Sequence, residues 1–114
     1  MTIRKSYKRP QRLGRMLIID PGQSATQLHY LTKPQSYDRI AEILSEGHKQ
    51  PHHTCVELLM TKDDRQLLID EEGKLKQLPV NTLATLLAIE VGAIAPDDHI
   101  VGRAIILEGI ARLR

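Results

Sequence analysis

Four potential metal ligands lie within eight residues, in the segment HKQPHHTC at positions 48–55. Imidazole and thiolate groups bind zinc and copper, so this segment is where metal chemistry has to be considered first. The spacing does not match a structural zinc site, and adjacent histidines in an extended chain point to opposite sides. We therefore interpret the segment as a polar loop leading into a strand, which leaves a candidate metal cluster of His48, His52, His53 and Cys55.

Two turns concentrate carboxylates. A carboxylate pair beside a histidine can act in general acid–base catalysis or hold a divalent cation. Acidic side chains also populate exposed turns because they are well solvated there, and no nucleophile or phosphate-binding loop accompanies these. We favour the second interpretation and assign no catalytic residue. The two groups are Asp70, Glu71 and Glu72, and Asp97, Asp98 and His99.

The positive charge is concentrated at the start of the chain. Residues 1–15 contain six Lys and Arg and no acidic residue, whereas the remaining residues contain ten Lys and Arg and fourteen Asp and Glu. We interpret residues 1–14 as a basic flexible arm and residues 15–114 as a single globular domain. Such an arm can bind nucleic acid or another anion weakly and non-specifically through phosphate contacts. The candidate anion-binding residues are Arg4, Lys5, Lys8, Arg9, Arg12 and Arg15.

Composition excludes several classes of protein. Phe and Trp are absent, which argues against a base-stacking nucleic-acid module. The single cysteine, Cys55, rules out an internal disulfide, so we expect a cytoplasmic protein in which Cys55 acts as a small buried apolar residue. No apolar stretch is long enough for a membrane span, and no P-loop, dinucleotide fingerprint or hydrolase motif is present. We expect no enzyme activity and no cofactor.

The apolar patterns predict an α+β fold. We expect a mainly antiparallel sheet of about five or six strands, with one or two helices packed on one face. Strands are predicted at 16–20, 26–31, 54–60, 66–70 and 101–107, and the last of these should lie inside the sheet. Helices are predicted at 36–46, with Ser36 as N-cap, and at 82–91, where Leu83, Leu86 and Leu87 follow at helical spacing.

The stretch between the fourth predicted strand and the second helix predicts a hairpin. The acidic turn after residue 70 pivots on a glycine that can take positive φ, and residues 74–78 then form a short edge strand guarded by a lysine. A proline ends that strand, and an asparagine caps the following helix. The residues of this hairpin tip and exit are Glu71, Glu72, Gly73, Lys74, Pro79 and Asn81.

The run DEEGKLKQLPVN at 70–81, together with IIDPG at 18–22 and IVGRAIILEG at 100–109, resembles a small family of unknown function. Its members are common on phage, plasmid, actinobacterial and cyanobacterial genomes. The resemblance spans residues 16–107 in the same order and implies one compact domain encoded by mobile or accessory DNA. It implies no established activity, so it assigns no site residue. The basic segment before Met16 and the helix-like run TLATLLAIEVGA depart from it.

These observations favour a small non-enzymatic accessory domain that binds a host protein or a small ligand. The alternatives are a nucleic-acid-associated protein that uses the basic arm, and a small enzyme or metal-binding protein. Exposed strand edges such as 74–78 also make a homodimer plausible, by sheet extension or by helix packing. An apolar surface with few polar groups would favour the binding module, and a basic surface continuous with the arm would favour nucleic acid.

Overall fold

The computed structural model describes residues 13–23, 26–46 and 54–113 of the chain. The described residues form strands β1 (Gly14–Ile19) and β2 (Gln27–Leu31), helix α1 (Tyr37–Glu46), strands β3 (Val56–Met60) and β4 (Gln66–Asp70), helix α2 (Thr82–Glu90) and strand β5 (Ala104–Glu108). A short 3-10 helix at Gly109–Ala111 follows β5. No helix among these residues is long and apolar enough to cross a membrane.

The five strands form one antiparallel sheet in the order β2-β1-β5-β4-β3. The predicted α+β class, the pairing of the first two strands and the hairpin between β3 and β4 are confirmed. The last strand lies between β1 and β4, as predicted for an aliphatic run buried on both faces. It begins three residues later than predicted because Val101 forms only an isolated bridge with Val80.

Each face of the sheet has its own apolar core. Residues of β5 alternate between the two cores: Ile105 and Leu107 pack with α1, while Ala104 and Ile106 pack with α2. A strand places successive side chains on opposite faces, so the two helices cover opposite sides of the sheet. This differs from the expectation that a second helix shares the face of the first, and it explains why β5 is apolar at every position from Ala104 to Leu107.

The first helix follows its amphipathic pattern. The Arg39 N–H donates to the Ser36 hydroxyl, which confirms Ser36 as the N-cap, and Ile40, Ile43 and Leu44 are buried against the sheet. The Arg103 guanidinium fastens the far end of this helix. It donates to the Ile43 carbonyl at 2.9 Å. It also binds both carboxylate oxygens of Asp20, at 2.7 and 3.2 Å.

Asn81 joins the second helix to the sheet. Its side-chain oxygen accepts from the Ala84 N–H, so the predicted N-cap is confirmed. Its amide group donates to the Ile19 carbonyl at 2.9 Å and to the Gly102 carbonyl at 2.8 Å. The side chain is fully buried, so these bonds hold α2 against the ends of β1 and β5. The helix ends at Glu90, and Gly92, which follows the C-cap Val91, has a φ of 74° in a Schellman-type turn.

The predicted edge strand at 74–78 is wrong. Residues 71–77 form consecutive turns, in which the Lys76 N–H donates to the Glu72 carbonyl and the Gln77 N–H to the Lys74 carbonyl. These local bonds occupy groups that a sheet ladder would need, and Gln77 has a φ of 56°. Leu75, expected to alternate into a sheet, is 83% exposed instead. Sheet extension through this segment is therefore excluded.

Gly73 has a different role from the predicted turn pivot. It does not adopt a positive φ, and it is buried. A Cβ at this position would lie 2.9 Å from the Val101 side chain and 3.3 Å from the Asp70 carbonyl oxygen. The glycine is required because the turn packs closely on the segment before β5.

Candidate functional site

A polar cleft at the end of β4 brings the two acidic turns of the sequence together. The cleft encloses about 270 Å³ between β3, the turns after β4 and the loop after α2. The antiparallel sheet positions β3 and β4, and the bridge between Val80 and Val101 brings the loop beside them. The polar residues that line it are Glu57, Asp70, Glu71, Lys74, Asp98 and His99.

Lys74 and Asp98 form an ion pair across the mouth of this cleft. Lys74 Nζ lies 2.7 Å from Asp98 Oδ1, which also accepts from the backbone N–H of His99 at 2.7 Å. The Lys74 hydrogen bond holds the pKa of Asp98 below its ordinary value. Lys74 therefore links the turn to the loop, which replaces its predicted role as guard of a strand edge.

Asp70 differs from the solvated turn acid that we expected. It is 5% exposed, and its Oδ2 lies 2.7 Å from Lys76 Nζ. Its Oδ1 accepts from the Glu72 N–H at 2.9 Å, so the carboxylate organises the turn that follows β4. Two of the carboxylates in the cleft, Asp98 and Asp70, thus already hold a lysine. Within the described part of the chain, no group of three or more His, Cys, Asp and Glu could hold a metal ion.

The candidate metal cluster lies largely outside the described residues. His48, His52 and His53 lie outside the described residues, whereas Cys55 lies immediately before β3. Cys55 is exposed, so the prediction that it is a small buried residue is wrong. Val56 begins the strand, and Cys55 contributes only its carbonyl, which accepts from the Glu71 N–H.

The cationic residues near the start of β1 are largely engaged with carboxylates. Arg15, which was assigned to the anion-binding set, belongs to β1, and its Nε lies 2.6 Å from Glu108 Oε1. Arg65 contacts the other oxygen of Glu108 at 4.0 Å and pairs with Asp63 at 2.8 Å. The Asp63 hydrogen bond raises the pKa of the Arg65 guanidinium. The other five members of that set, Arg4, Lys5, Lys8, Arg9 and Arg12, precede the described residues.

The second helix presents apolar side chains to solvent. Ala84 and Ala88 are its fully buried residues, while Leu86 is 60% exposed on the opposite side. Leu83 and Leu87, expected to form a core stripe with Leu86, are only half-buried. The small alanines face the sheet because the Asn81 anchor holds this helix close to it. A helix in this position ordinarily turns a charged face outward.

The β1–β2 part of the sheet carries further exposed apolar side chains on the side that α2 covers elsewhere. Leu17 and Leu28 are paired across β1 and β2 on the α2 side, and Tyr30 lies on the same side, two residues further along β2. Tyr30 is 62% exposed and Leu28 is 43% exposed. Leu17, like Leu83 and Leu87, packs on the α2-side core. We call this surface the α2–β2 face, and define it by Leu17, Leu28, Tyr30, Leu83, Leu86 and Leu87.

Sequence reasoning missed the α2–β2 face, although the helix carried a signal for it. The run TLATLLAIE contains one charged residue, Glu90, and its exposed side carries Leu86 between Thr82 and Glu90. Spacing showed only that Leu83, Leu86 and Leu87 recur at helical intervals, and it did not distinguish the side of the helix that faces the sheet. The uniform apolar character of the helix was the more informative property.

Comparisons of the chain with protein-family models, with curated proteins and with solved structures give no match.

Proposed function

We propose that this chain is a non-enzymatic accessory module that binds another protein chain through the α2–β2 face. The observation that carries the proposal is the 60% exposure of Leu86 at the centre of a helix whose one charged residue is Glu90. Contiguous exposed apolar surfaces on small proteins mark interaction sites, whereas scattered single residues do not. Here Leu83 and Leu87 pack with Leu17 on the α2-side core, and Leu28 and Tyr30 lie on the same side of the sheet.

The energetics support a specific and moderate interaction. Full burial of a leucine stabilises by about 1.5–3 kcal/mol, so covering the exposed part of Leu86 contributes about 1–2 kcal/mol. Leu28 and Tyr30 add contributions of similar size because they too are about half exposed. After the entropy loss of association, a surface of this kind is typical of micromolar affinity.

The polar cleft supports the non-enzymatic part of the proposal. A general base must reach a substrate proton, and two of the cleft's carboxylates, Asp98 and Asp70, are already engaged because they accept hydrogen bonds from lysines and backbone N–H groups. The Lys74–Asp98 pair links the turn after β4 to the loop after α2, and the Lys76–Asp70 pair holds that turn to the end of β4. Their role is to hold the segments that end next to Asn81 and α2.

Site-specific photo-cross-linking in the native host tests this proposal. A photoreactive amino acid is introduced at Leu86 in one variant and at Leu75 in a matched control. Leu75 is 83% exposed but lies in the turns at 71–77, away from the α2–β2 face. We expect a discrete cross-linked product, identified by mass spectrometry, from position 86 and not from position 75. Equal or absent products at the two positions would refute the proposal.

A further inference from the structure

We infer that the partner of the α2–β2 face is a second copy of this chain, with the two α2 helices antiparallel about a two-fold axis beside Leu86. This inference rests on the function proposed above and names the occupant of the same surface. Most soluble oligomers are symmetric, and a two-fold interface must be complementary to itself. The helix meets that condition both in its shape and in the charges at its ends.

Leu83 and Ile89, and Ala84 and Ala88, lie symmetrically about the midpoint of α2. The helix runs from Thr82 to Glu90, so Leu86 is its central residue and also its most exposed apolar one. In an antiparallel pair centred there, each Leu86 faces the same residue of the other copy. Leu83 then lies opposite Ile89, and both are half-buried apolar side chains in the isolated chain.

The charges at the helix ends are complementary in the same arrangement. The first turn of α2 has no acidic residue and its last turn has no basic residue, but Glu90 closes the helix. A helix N-terminus is electrically positive and a C-terminus negative, so Glu90 is unfavourably placed within its own helix. Within its own chain the pKa of Arg65 is raised chiefly by the Asp63 hydrogen bond, with a smaller electrostatic contribution from Glu90. An antiparallel second copy sets Glu90 beside the positive end of the opposite helix, at Thr82.

The sheet edge offers the competing mode of self-association. The bond from Glu71 N–H to the Cys55 carbonyl sets the β3–β4 ladder. Alternate residues of an edge strand direct their backbone N–H and C=O groups away from the sheet. In β3 these residues include Leu58 and Met60. The Tyr37 hydroxyl, however, accepts from the Val56 N–H and covers the start of this edge. We therefore favour the helix surface, and the experiment below separates the two modes.

The first test measures the mass of the full chain by sedimentation equilibrium over a concentration series. We expect a monomer–dimer equilibrium in the micromolar range, unchanged by Leu75→Glu and weakened at least about tenfold by Leu86→Glu. A strictly monomeric wild-type chain would overturn the inference. A dimer that survives Leu86→Glu but is lost in Met60→Lys would assign the contact to the sheet edge instead.

The second test probes the direction of the helices by charge reversal. Glu90→Lys should weaken the dimer because it brings a cation to the positive end of the opposite helix. Adding Thr82→Glu should restore affinity, since in an antiparallel pair the new acid faces the new lysine. In a parallel pair the double variant would set like charges together and bind no better than Glu90→Lys alone. That outcome, or a stronger dimer in Glu90→Lys, would refute the antiparallel geometry.

Disulfide trapping provides a readout if a charged variant fails to fold. In a Cys55→Ser background, Leu86→Cys should form a disulfide-linked dimer under mild oxidation because the two-fold axis brings the two thiols together. Leu75→Cys should remain monomeric. Failure of the Leu86→Cys variant to cross-link would count against the inference. The proposed function fails separately, when photo-cross-linking at position 86 yields no protein product in the native host.

Discussion

Replacing Asn81 by alanine should lower the free energy of unfolding more than an alanine substitution at any other single position in or next to α2. The substitution removes the N-cap acceptor for the Ala84 N–H, which is worth about 1 kcal/mol. It also removes the donor to the carbonyls of Ile19 and Gly102, and each carbonyl deprived of its donor in the interior costs about 1–3 kcal/mol. Some relaxation is expected, so we predict a total loss of about 3–5 kcal/mol in the free energy of unfolding.

A serine at the same position separates the two effects. Asn81→Ser keeps a cap acceptor for the helix but cannot reach both carbonyls, so it should recover only about 1 kcal/mol relative to alanine. Asn81→Asp keeps the acceptor and replaces the donor with oxygen, which faces the two carbonyl oxygens. It should therefore be at least as destabilising as alanine. Thr82→Ala, at an exposed position of the first turn, is the matched control.

Urea unfolding followed by far-ultraviolet circular dichroism measures these changes, because the chain has no tryptophan to serve as a fluorescent probe. A domain of this length has a stability of about 6–17 kcal/mol, so the predicted loss would be obvious. If Asn81→Ala and Asn81→Ser both lose no more than about 1 kcal/mol, the buried amide bonds contribute nothing beyond the cap. The account of how α2 is held to the sheet would then be wrong.

Three further predictions concern charged groups. Arg103→Lys should lower the free energy of unfolding by about 1–3 kcal/mol. A lysine cannot bind both carboxylate oxygens of Asp20 and also donate to the Ile43 carbonyl. An unchanged urea midpoint would contradict this. Lys76→Met should lower the free energy of unfolding by about 1–3 kcal/mol because it removes the cation beside the buried Asp70 carboxylate. In a double-mutant cycle, adding Asp70→Asn should recover part of that loss. Purely additive losses would show that the pair is not coupled. Hydrogen bonds from a neighbouring arginine and lysine depress the folded-state pKa of Asp63 and Asp98, so their stabilisation is complete above about pH 4 and is lost as the pH falls through the lower folded-state values. The double variant Asp63→Asn/Asp98→Asn should therefore lose less stability than the wild type in an acid titration followed by circular dichroism, and parallel curves would refute this assignment.

The strands illustrate which features local sequence can predict. The runs MLII and AIIL are continuously aliphatic, which is typical of strands buried on both faces of a sheet. The structure places them in β1 and β5. The central position of β5 also followed from its composition. A strand that is apolar at consecutive positions needs cover on both faces of the sheet, and an interior strand has it. The capping residues Ser36 and Asn81 were predictable because capping depends on bonds within three residues.

The segment 71–78 shows where local reasoning fails. Its alternation of Leu75 and Leu78 resembled an edge strand, yet its backbone bonds close turns, and Leu78 packs against Gly102 from a distant part of the chain. The Lys74–Asp98 pair joins residues 24 positions apart, and spacing along the chain gives no measure of that distance. The polar cleft was therefore foreseen as two separate turns and not as one site.

The amino-acid sequence by itself determined the class of fold, most of the strand and helix positions, the two caps and the acidic turns, because each depends on the period of side chains along one element or on bonds to near neighbours. Tertiary structure alone decided that the helices lie on opposite faces, that Asp70 is buried with Lys76 and that Ala84 faces inward while Leu86 faces solvent. These outcomes depend on which distant segments meet. In α2 the Asn81 bonds to Ile19 and Gly102 fix how closely and at what rotation the helix approaches the sheet, and so they leave the leucines outside.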